Sequence, residues 1–274
     1  MSRGATGPAT PLPRLFRGGR LFDGRSFLAA QDLRTDRQGR VAEIGSGLEA
    51  AGEEIVDLDG RWLLPGLVDC HVHFREPGLE RKEGYPTGTA GALHGGVTTV
   101  LEIQNNPPLV TSRALLEAKL AGREGRSHAD YGCYASLVEE SLLELAAMAP
   151  RTPAFKCFLG CSTGAAGVED EATLRRWFGA AAAAGVKVVA HCEDNAVMER
   201  VAATLTPSEQ DRHDLRRPVE AEVASIRDAV RVAAEVGLAL HVFHVSSVEG
   251  ARLVAAAAAS GQPVTATTAP HYLL

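Results

Sequence analysis

Between about Arg14 and Leu63 the apolar positions come in short runs, RLFRGGRLFDGRSF, GRVAEIGSG and EEIVDLDGRWLLPG. Gly-Gly, Asp-Gly and Gly-Ser-Gly separate them, a pattern that predicts a small antiparallel β unit with tight turns. Past Pro65 the rhythm changes. Seven β-rich runs follow: GLVDCHVHF, GVTTVLEI, ADYGCYASL, AFKCFLG, VKVVAHCED, LALHVFHVSS and PVTATTAP. Longer Ala-, Leu- and Glu-rich stretches of helical character lie between them, such as SRALLEAKLAG, EESLLELAAMA, EDEATLRRWFGAAAAAG and PVEAEVASIRDAVRVAAEVG. Strand and helix in regular alternation predict an α/β fold, a parallel sheet covered by helices. A doubly wound sheet and a (β/α)8 TIM-type barrel both produce that alternation. The polar residues favour the barrel, because His71, His73, Lys156, His191 and His244 fall at or near the C-terminal ends of different strands, where barrel enzymes gather their chemistry. The sequence ends at HYLL, just after the seventh run, so the expected barrel is truncated. The expected divisions are a disordered leader (1–13), the N-terminal β unit (14–64) and the barrel (65–274).

Composition narrows the classes. A chain of 274 residues with 45% hydrophobic residues can bury a sizeable core. A formal net charge of −6 gives no basic footprint for nucleic acid or an anionic membrane, and no apolar run reaches the length of a bilayer span. Cys70, Cys133, Cys157, Cys161 and Cys192 are scattered through apolar segments, unlike a disulfide framework. Reduced thiols in a cytoplasmic protein are the expectation.

DCHVHFREPG carries the strongest chemical signal. Strand side chains alternate with period two, so His71 and His73 point the same way and offer two imidazoles to one metal ion. His191 and His244 each end a later apolar strand; alone, either reads as a core histidine, but four on three strand ends of one barrel point to ligation. His241, three residues before His244, is expected on the opposite side in a packing role. Lys156 interrupts an apolar strand, and burying an ammonium is costly unless it is paired or neutralised. Its stem either packs with the amine at the rim, or a neutral amine reacts with carbon dioxide to give a metal-bridging carbamate. Arg75, two residues past His73, is expected to face the same mouth, where a guanidinium grips a carboxylate bidentately; the alternative is a surface arginine pairing with Glu76 or Glu80. Asn105 follows the second strand, as an amide donor to a substrate or as turn chemistry. Asp69 and Glu193 read equally well as partners of the histidines or as ordinary rim residues.

PGLVDCHVHFREPG, GVTTVLEIQNNPP, KCFLGCSTG, VVAHCED, LHVFHVSS and APHYLL together resemble the dihydroorotases of the amidohydrolase superfamily, in order and from about Arg14 to Leu274. The resemblance implies a (β/α)8 barrel with a small β-sandwich built from both chain ends. It also implies two zinc ions, one on His71 and His73, the other on His191 and His244, bridged by carboxylated Lys156. A hydroxide between them would attack the ring amide, and Arg75 and Asn105 would bind the carboxylate of dihydroorotate. The family's general base, an aspartate at the end of the eighth strand, would lie beyond Leu274, so this chain is expected to be a fragment with little activity of its own. IQNNPP departs from the usual MPNTNPP, and EGYPTGT and FKCFL also look like allantoinase sequence. Three readings follow: a dihydroorotase of pyrimidine biosynthesis, an allantoinase or hydantoinase, and a non-catalytic scaffold beside aspartate transcarbamoylase. Retention of all five ligands argues against the scaffold. A small-molecule substrate, a homodimer and association with that transcarbamoylase are the partner expectations.

Overall fold

The structure, a computed structural model, describes residues 12–28, 30–160 and 167–273. Most of the expected leader, and Cys161, lie outside them. The chain divides into two compact units, Met1–Leu67 and Val68–Leu274.

The first unit is a five-stranded sheet of β1 (Arg14–Leu21), β2 (Gln31–Thr35), β3 (Val41–Gly45), β4 (Glu54–Asp57) and β5 (Trp62–Leu63). The expectation of an antiparallel unit holds for β1 with β2 and β2 with β3. It fails for β4 and β5, which both run parallel to β1. The sequence EEIVDLDGRWLL lays these two strands end to end along one neighbour, so no hairpin reverses them. Asp32, 5% exposed, ties the sheet to its loops by accepting from the backbone N–H of Gly18 (3.0 Å) and Leu48 (2.9 Å).

The second unit holds all seven expected strands: β6 (Leu67–Val72), β7 (Val97–Ile103), β8 (Asp130–Ser136), β9 (Phe155–Leu159), β10 (Val188–Cys192), β11 (Leu240–Val242) and β12 (Val264–Ala266). They form one sheet in sequential order, and the pairs from β7 to β12 are parallel. The sheet is curled. First and sixth strands of a flat sheet lie about 24 Å apart at the usual strand spacing, yet the His71 ring on β6 sits 4.1 Å, centroid to centroid, from Phe243 just past β11. Tyr134 on β8 also reaches across to donate to the Cys70 carbonyl at 3.0 Å. These strands follow the arc of a barrel wall.

Alternation sorts each strand into two faces. Phe155, Cys157, Leu159, Val188, Ala190, Cys192, Leu240 and Val242 pack outward against the helices, in one core with Leu174, Phe178, Ile226 and Val232. Ile103, Tyr134, Val189 and Phe243 form a smaller inner cluster. The helices include α1 (Tyr85–His94), α2 (Arg113–Ala121), α3 (Leu145–Met148), α4 (Glu171–Ala183), α5 (Asn195–Ala202), α6 (His213–Arg216), α7 (Val219–Val236) and α8 (Val248–Ala259). Ser112, Asp170, Asp194 and Ser247 cap α2, α4, α5 and α8 by accepting an N–H from the first turn, which satisfies donors that no helix end can satisfy internally.

Two segments depart from expectation. EESLLELAAMA does not form one helix but breaks into a 3₁₀ turn at Glu139–Ser141, the short α3 and a second 3₁₀ turn at Ala149–Arg151. Ser141 Oγ bonds the Val138 backbone at both N–H (3.1 Å) and carbonyl (2.8 Å), competing with helix formation, and Pro150 lacks a donor. Conversely, YPTGTAGALH is helical as α1 despite two glycines, because it packs against Phe74: a Cβ at Gly88 would sit 2.5 Å from that ring.

Candidate active site

Four imidazoles converge at the C-terminal ends of β6, β10 and β11. His71 Nε2 and His73 Nε2 are 3.2 Å apart, and His191 Nδ1 and His244 Nε2 are 3.1 Å apart. The pairs adjoin, with the His71 and His244 rings stacked at 5.2 Å. Backbone and carboxylate contacts set the remaining nitrogens. His73 Nδ1 lies 2.8 Å from the Ile103 carbonyl, which leaves its Nε2 as an acceptor. His191 Nε2 lies 2.9 Å from Glu193 Oε2, and Arg217 donates to that same oxygen. Although burial opposes it, contacts with His191 and Arg217 hold Glu193 below the usual carboxylate range. Burial first, then the positive charge of neighbours, pushes His71 down to about 2 and His73 and His244 to about 4. These three rings are therefore neutral at pH 7, the state in which imidazole ligates a metal.

Lys156 points into the same space from β9. It is 3% exposed, its Nζ has no hydrogen-bond partner among the described residues, and it lies over the faces of Phe158 (4.5 Å) and Phe243 (4.8 Å). Burial lowers its pKa to about 7, so a large share of the amine is unprotonated at neutral pH and nucleophilic. Cys157 and Cys192 face away into the helix-side core, where burial raises both thiols to about 12. They pack rather than react. At the end of β9, Gly160 (φ +76°) lies so close to β10 that a Cβ would meet the Glu193 carbonyl at 2.1 Å; only glycine permits that approach.

The donor set fits a pair of divalent cations in one particular way. Two nitrogens bound to one tetrahedral zinc ion lie about 3.3 Å apart, and each histidine pair shows close to that spacing. Among the described residues, however, no group of three or more His, Cys, Asp or Glu side chains is placed to hold a metal ion. Each pair lacks a third protein donor unless Lys156 supplies one. An amine offers a single lone pair, whereas its carbamate offers two oxygens, one for each pair.

The residues expected to face a substrate, Arg75 and Asn105, are also together, for reasons other than strand alternation. β6 ends at Val72, and Arg75 has a left-handed backbone (φ +59°). Its guanidinium donates to Asn105 Oδ1, not to Glu76 or Glu80, and its charge contributes to lowering the pKa of His73. Asn105 is buried just past β7. His244 likewise lies beyond β11 with φ +43°, so the alternation that placed His241 opposite it does not apply. His241 packs against Phe243 (5.0 Å) with its ring nitrogens 2.8 and 3.3 Å from the Thr265 and Thr267 hydroxyls. Asp69 accepts from the His71 backbone N–H (3.0 Å). A cavity of about 300 Å³, lined by His191, Glu193, Arg217, Glu222, His244 and Tyr272 among others, opens beside the second histidine pair.

Sequence reasoning missed a second buried polar group behind the Arg75 loop: Glu76, Glu102, Lys119 and Arg123. The signal was present, since Glu102 interrupts the apolar run VTTVLEI and Lys119 lies in the helix SRALLEAKLAG.

With the geometry in place, the comparisons decide the family. The dihydro-orotase-like family matches residues 60–250. The chain belongs to that family. It is similar to an allantoinase of Rubrobacter xylanophilus, 36% identical over 244 residues that cover 86% of this chain and 53% of the relative. It is similar to a dihydroorotase of Halobacterium salinarum, 37% identical over 271 residues, 95% of this chain and 58% of the relative. An L-hydantoinase (dihydropyrimidinase) of Arthrobacter aurescens superposes with a TM-score of 0.84 at 25% identity, over 96% of this chain and 59% of that one. The chain thus spans little more than half the length of these relatives. This member of the dihydro-orotase-like family has cyclic amide hydrolases as its relatives, and it shares their barrel.

Proposed function

We propose that the protein encoded by the complete gene is a two-zinc dihydroorotase, interconverting dihydroorotate and N-carbamoyl-aspartate. The observation that carries this reading is the Arg75–Asn105 pair beside the first histidine pair. A guanidinium held by an amide at the rim of an imidazole cluster suits a substrate with a carboxylate on its ring. Allantoin and unsubstituted hydantoin carry no such group.

His71 and His73 would hold one zinc ion, His191 and His244 the second, with carboxylated Lys156 between them. Zinc bound there would supply Lewis acidity and a water of near-neutral pKa. The protein's own part is positional. Arg75 and Asn105 fix the carboxylate, and thereby the ring amide, against the histidines. The Ile103 carbonyl and Glu193 keep one nitrogen of His73 and one of His191 engaged, so that the other faces inward. Phe158 and Phe243 keep water from the Lys156 amine.

A second reading is supported by the comparisons themselves, since allantoinase and dihydroorotase relatives match at nearly equal identity. The experiment is turnover of dihydroorotate, allantoin and hydantoin by the complete gene product loaded with zinc. Selective turnover of dihydroorotate is expected. Selective turnover of allantoin would replace this reading with the second, and no turnover of any would favour the scaffold.

A further inference from the structure

The segment that carries Arg75 is fastened from behind by charge. Glu76, 1% exposed, follows Arg75 directly, and its Oε1 accepts from Arg123 (3.2 Å) and from Arg126. Its Oε2 accepts from the Tyr85 backbone N–H at the start of α1 (3.0 Å). Its backbone carbonyl accepts two more charged donors, Lys119 Nζ and Arg123 Nη2, both at 2.8 Å. Lys119 in turn pairs with buried Glu102 on β7 at 2.6 Å, and Tyr85 donates its hydroxyl to the same carboxylate oxygen. Thus the peptide carbonyl next to Arg75 is pinned by cations rather than by ordinary backbone partners.

Three considerations make this more than packing. A buried ion cluster adds little stability over an apolar core of the same volume, so stability alone is a poor reason for it. What it immobilises is the residue after Arg75; the φ of +59° at Arg75 itself is uncommon for a residue other than glycine and persists only where the surroundings impose it. The same loop is held at two further points, Arg75 O by the Leu79 N–H (3.0 Å) and Pro77 O by Asn106 Nδ2 (2.8 Å). Every constraint converges on the backbone that aims one guanidinium.

We propose that Glu76 is a positioning residue for recognition of an anionic substrate: clamped by Arg123, Arg126 and Lys119, it holds Arg75 against Asn105 where a substrate carboxylate docks. The inference rests on the proposed dihydroorotase reading for the identity of that carboxylate. The clamp itself stands on contacts already described.

The test compares wild type, Glu76→Gln and Arg126→Ala in the zinc-loaded complete protein, with dihydroorotate and its methyl ester as substrates. Arg126 is half-exposed, so Arg126→Ala loosens the clamp without opening the core and keeps the test alive if Glu76→Gln fails to fold. KM for dihydroorotate is expected to rise about tenfold in Glu76→Gln and less in Arg126→Ala, a loss smaller than the roughly 100-fold that a full ångström of misplacement can cost. kcat should stay within about twofold, and the ester's kcat/KM should not change. Equal losses on acid and ester would reduce the cluster to a structural role, and an unchanged KM in both variants would overturn the proposal. If wild type ignores dihydroorotate, the function reading has failed. Crystal structures of the variants still judge the clamp, because retention of the Arg75–Asn105 contact in both would overturn it.

Discussion

Lys156 and Lys119 are both buried, 3% and 7% exposed, and the protein treats them in opposite ways. Lys119 is partnered on both sides, by a carboxylate at 2.6 Å and a backbone carbonyl at 2.8 Å. Lys156 has no acceptor among the described residues, only aromatic faces, and burial brings its pKa to about 7. The same contrast holds for their surroundings. Around Lys119, acids and bases pair with one another, and only Glu102 Oε1 and Arg123 Nε of the cluster's buried atoms are left without a partner among the described residues. Around Lys156, imidazole nitrogens face one another in two pairs. The closed cluster pairs its own charges, whereas the open one leaves imidazole nitrogens that the proposed cations would fill. Burial alone therefore does not identify a reactive lysine; the absence of a partner does.

The comparison breaks most severely at Lys156. Lys156→Ala is expected to abolish loading of two zinc ions and to lower activity by at least about 10³-fold, because the bridging donor is gone. Metal analysis after dialysis, with turnover measured alongside, checks this; two zinc ions retained per chain would sink the assignment. On the closed side, Glu102→Gln is expected to cost about 3–5 kcal/mol in chemical denaturation, since it strands the Lys119 ammonium in the core. The paired change Glu102→Leu with Lys119→Met should recover most of that loss. A single change as mild as the pair would show that the cluster is not desolvated as its burial indicates.

The two regions also differed in how far the sequence exposed them. Strands β6 to β12 were legible because each is a short apolar run between helical stretches, and the curl was legible because His71, His191 and His244 fall at or just past strand ends; Lys156, expected there too, is instead the second residue of β9 and reaches the site from within the strand. Alternation placed His71 and His73 together correctly. It could not place Arg75 or His244, whose positive φ lies beyond the strand ends, although both reach the site by turning there. The closed cluster was hidden for a different reason. Glu76, Glu102, Lys119 and Arg123 are far apart in sequence, and single charges in β and helical runs read as solvent-facing until tertiary contacts pair them. The parallel placement of β4 and β5 was hidden likewise, since apolar runs carry no direction.

A smaller effect separates open from closed through pH. His244 has a folded pKa of about 4 against an ordinary value of 6.5. Between those values the unfolded chain binds more protons, so stability rises with pH across that window and is fully present above about 6.5. His73 acts over the same range and His71 down to about 2. Lys156 acts from about 7 to 10.5 with the same sign. In metal-free protein, His244→Asn should flatten the rise of the urea midpoint from pH 4 to 6.5, by no more than about 3 kcal/mol in stability. An unchanged slope would mean that the ring is solvated and not part of a dry cluster.

The smallest expected effect falls on the one contact where the open site borrows the manner of the closed one. Glu193 accepts from His191 and from Arg217, so it links an imidazole to a guanidinium at the rim. If its task is to hold the proton of His191 on Nε2 and so leave Nδ1 for a cation, Glu193→Gln keeps an acceptor in place but removes its charge. Zinc affinity at the His191–His244 pair should then weaken about tenfold, with the His71–His73 pair unaffected, as expected when a ligand's supporting carboxylate is lost. Titration against a competing chelator separates the two sites. Equal weakening at both would assign Glu193 to the charge balance of the whole cluster instead of the orientation of one ring. No weakening would leave the Arg217 pair as the reason for its burial, a closed contact at the edge of an open site.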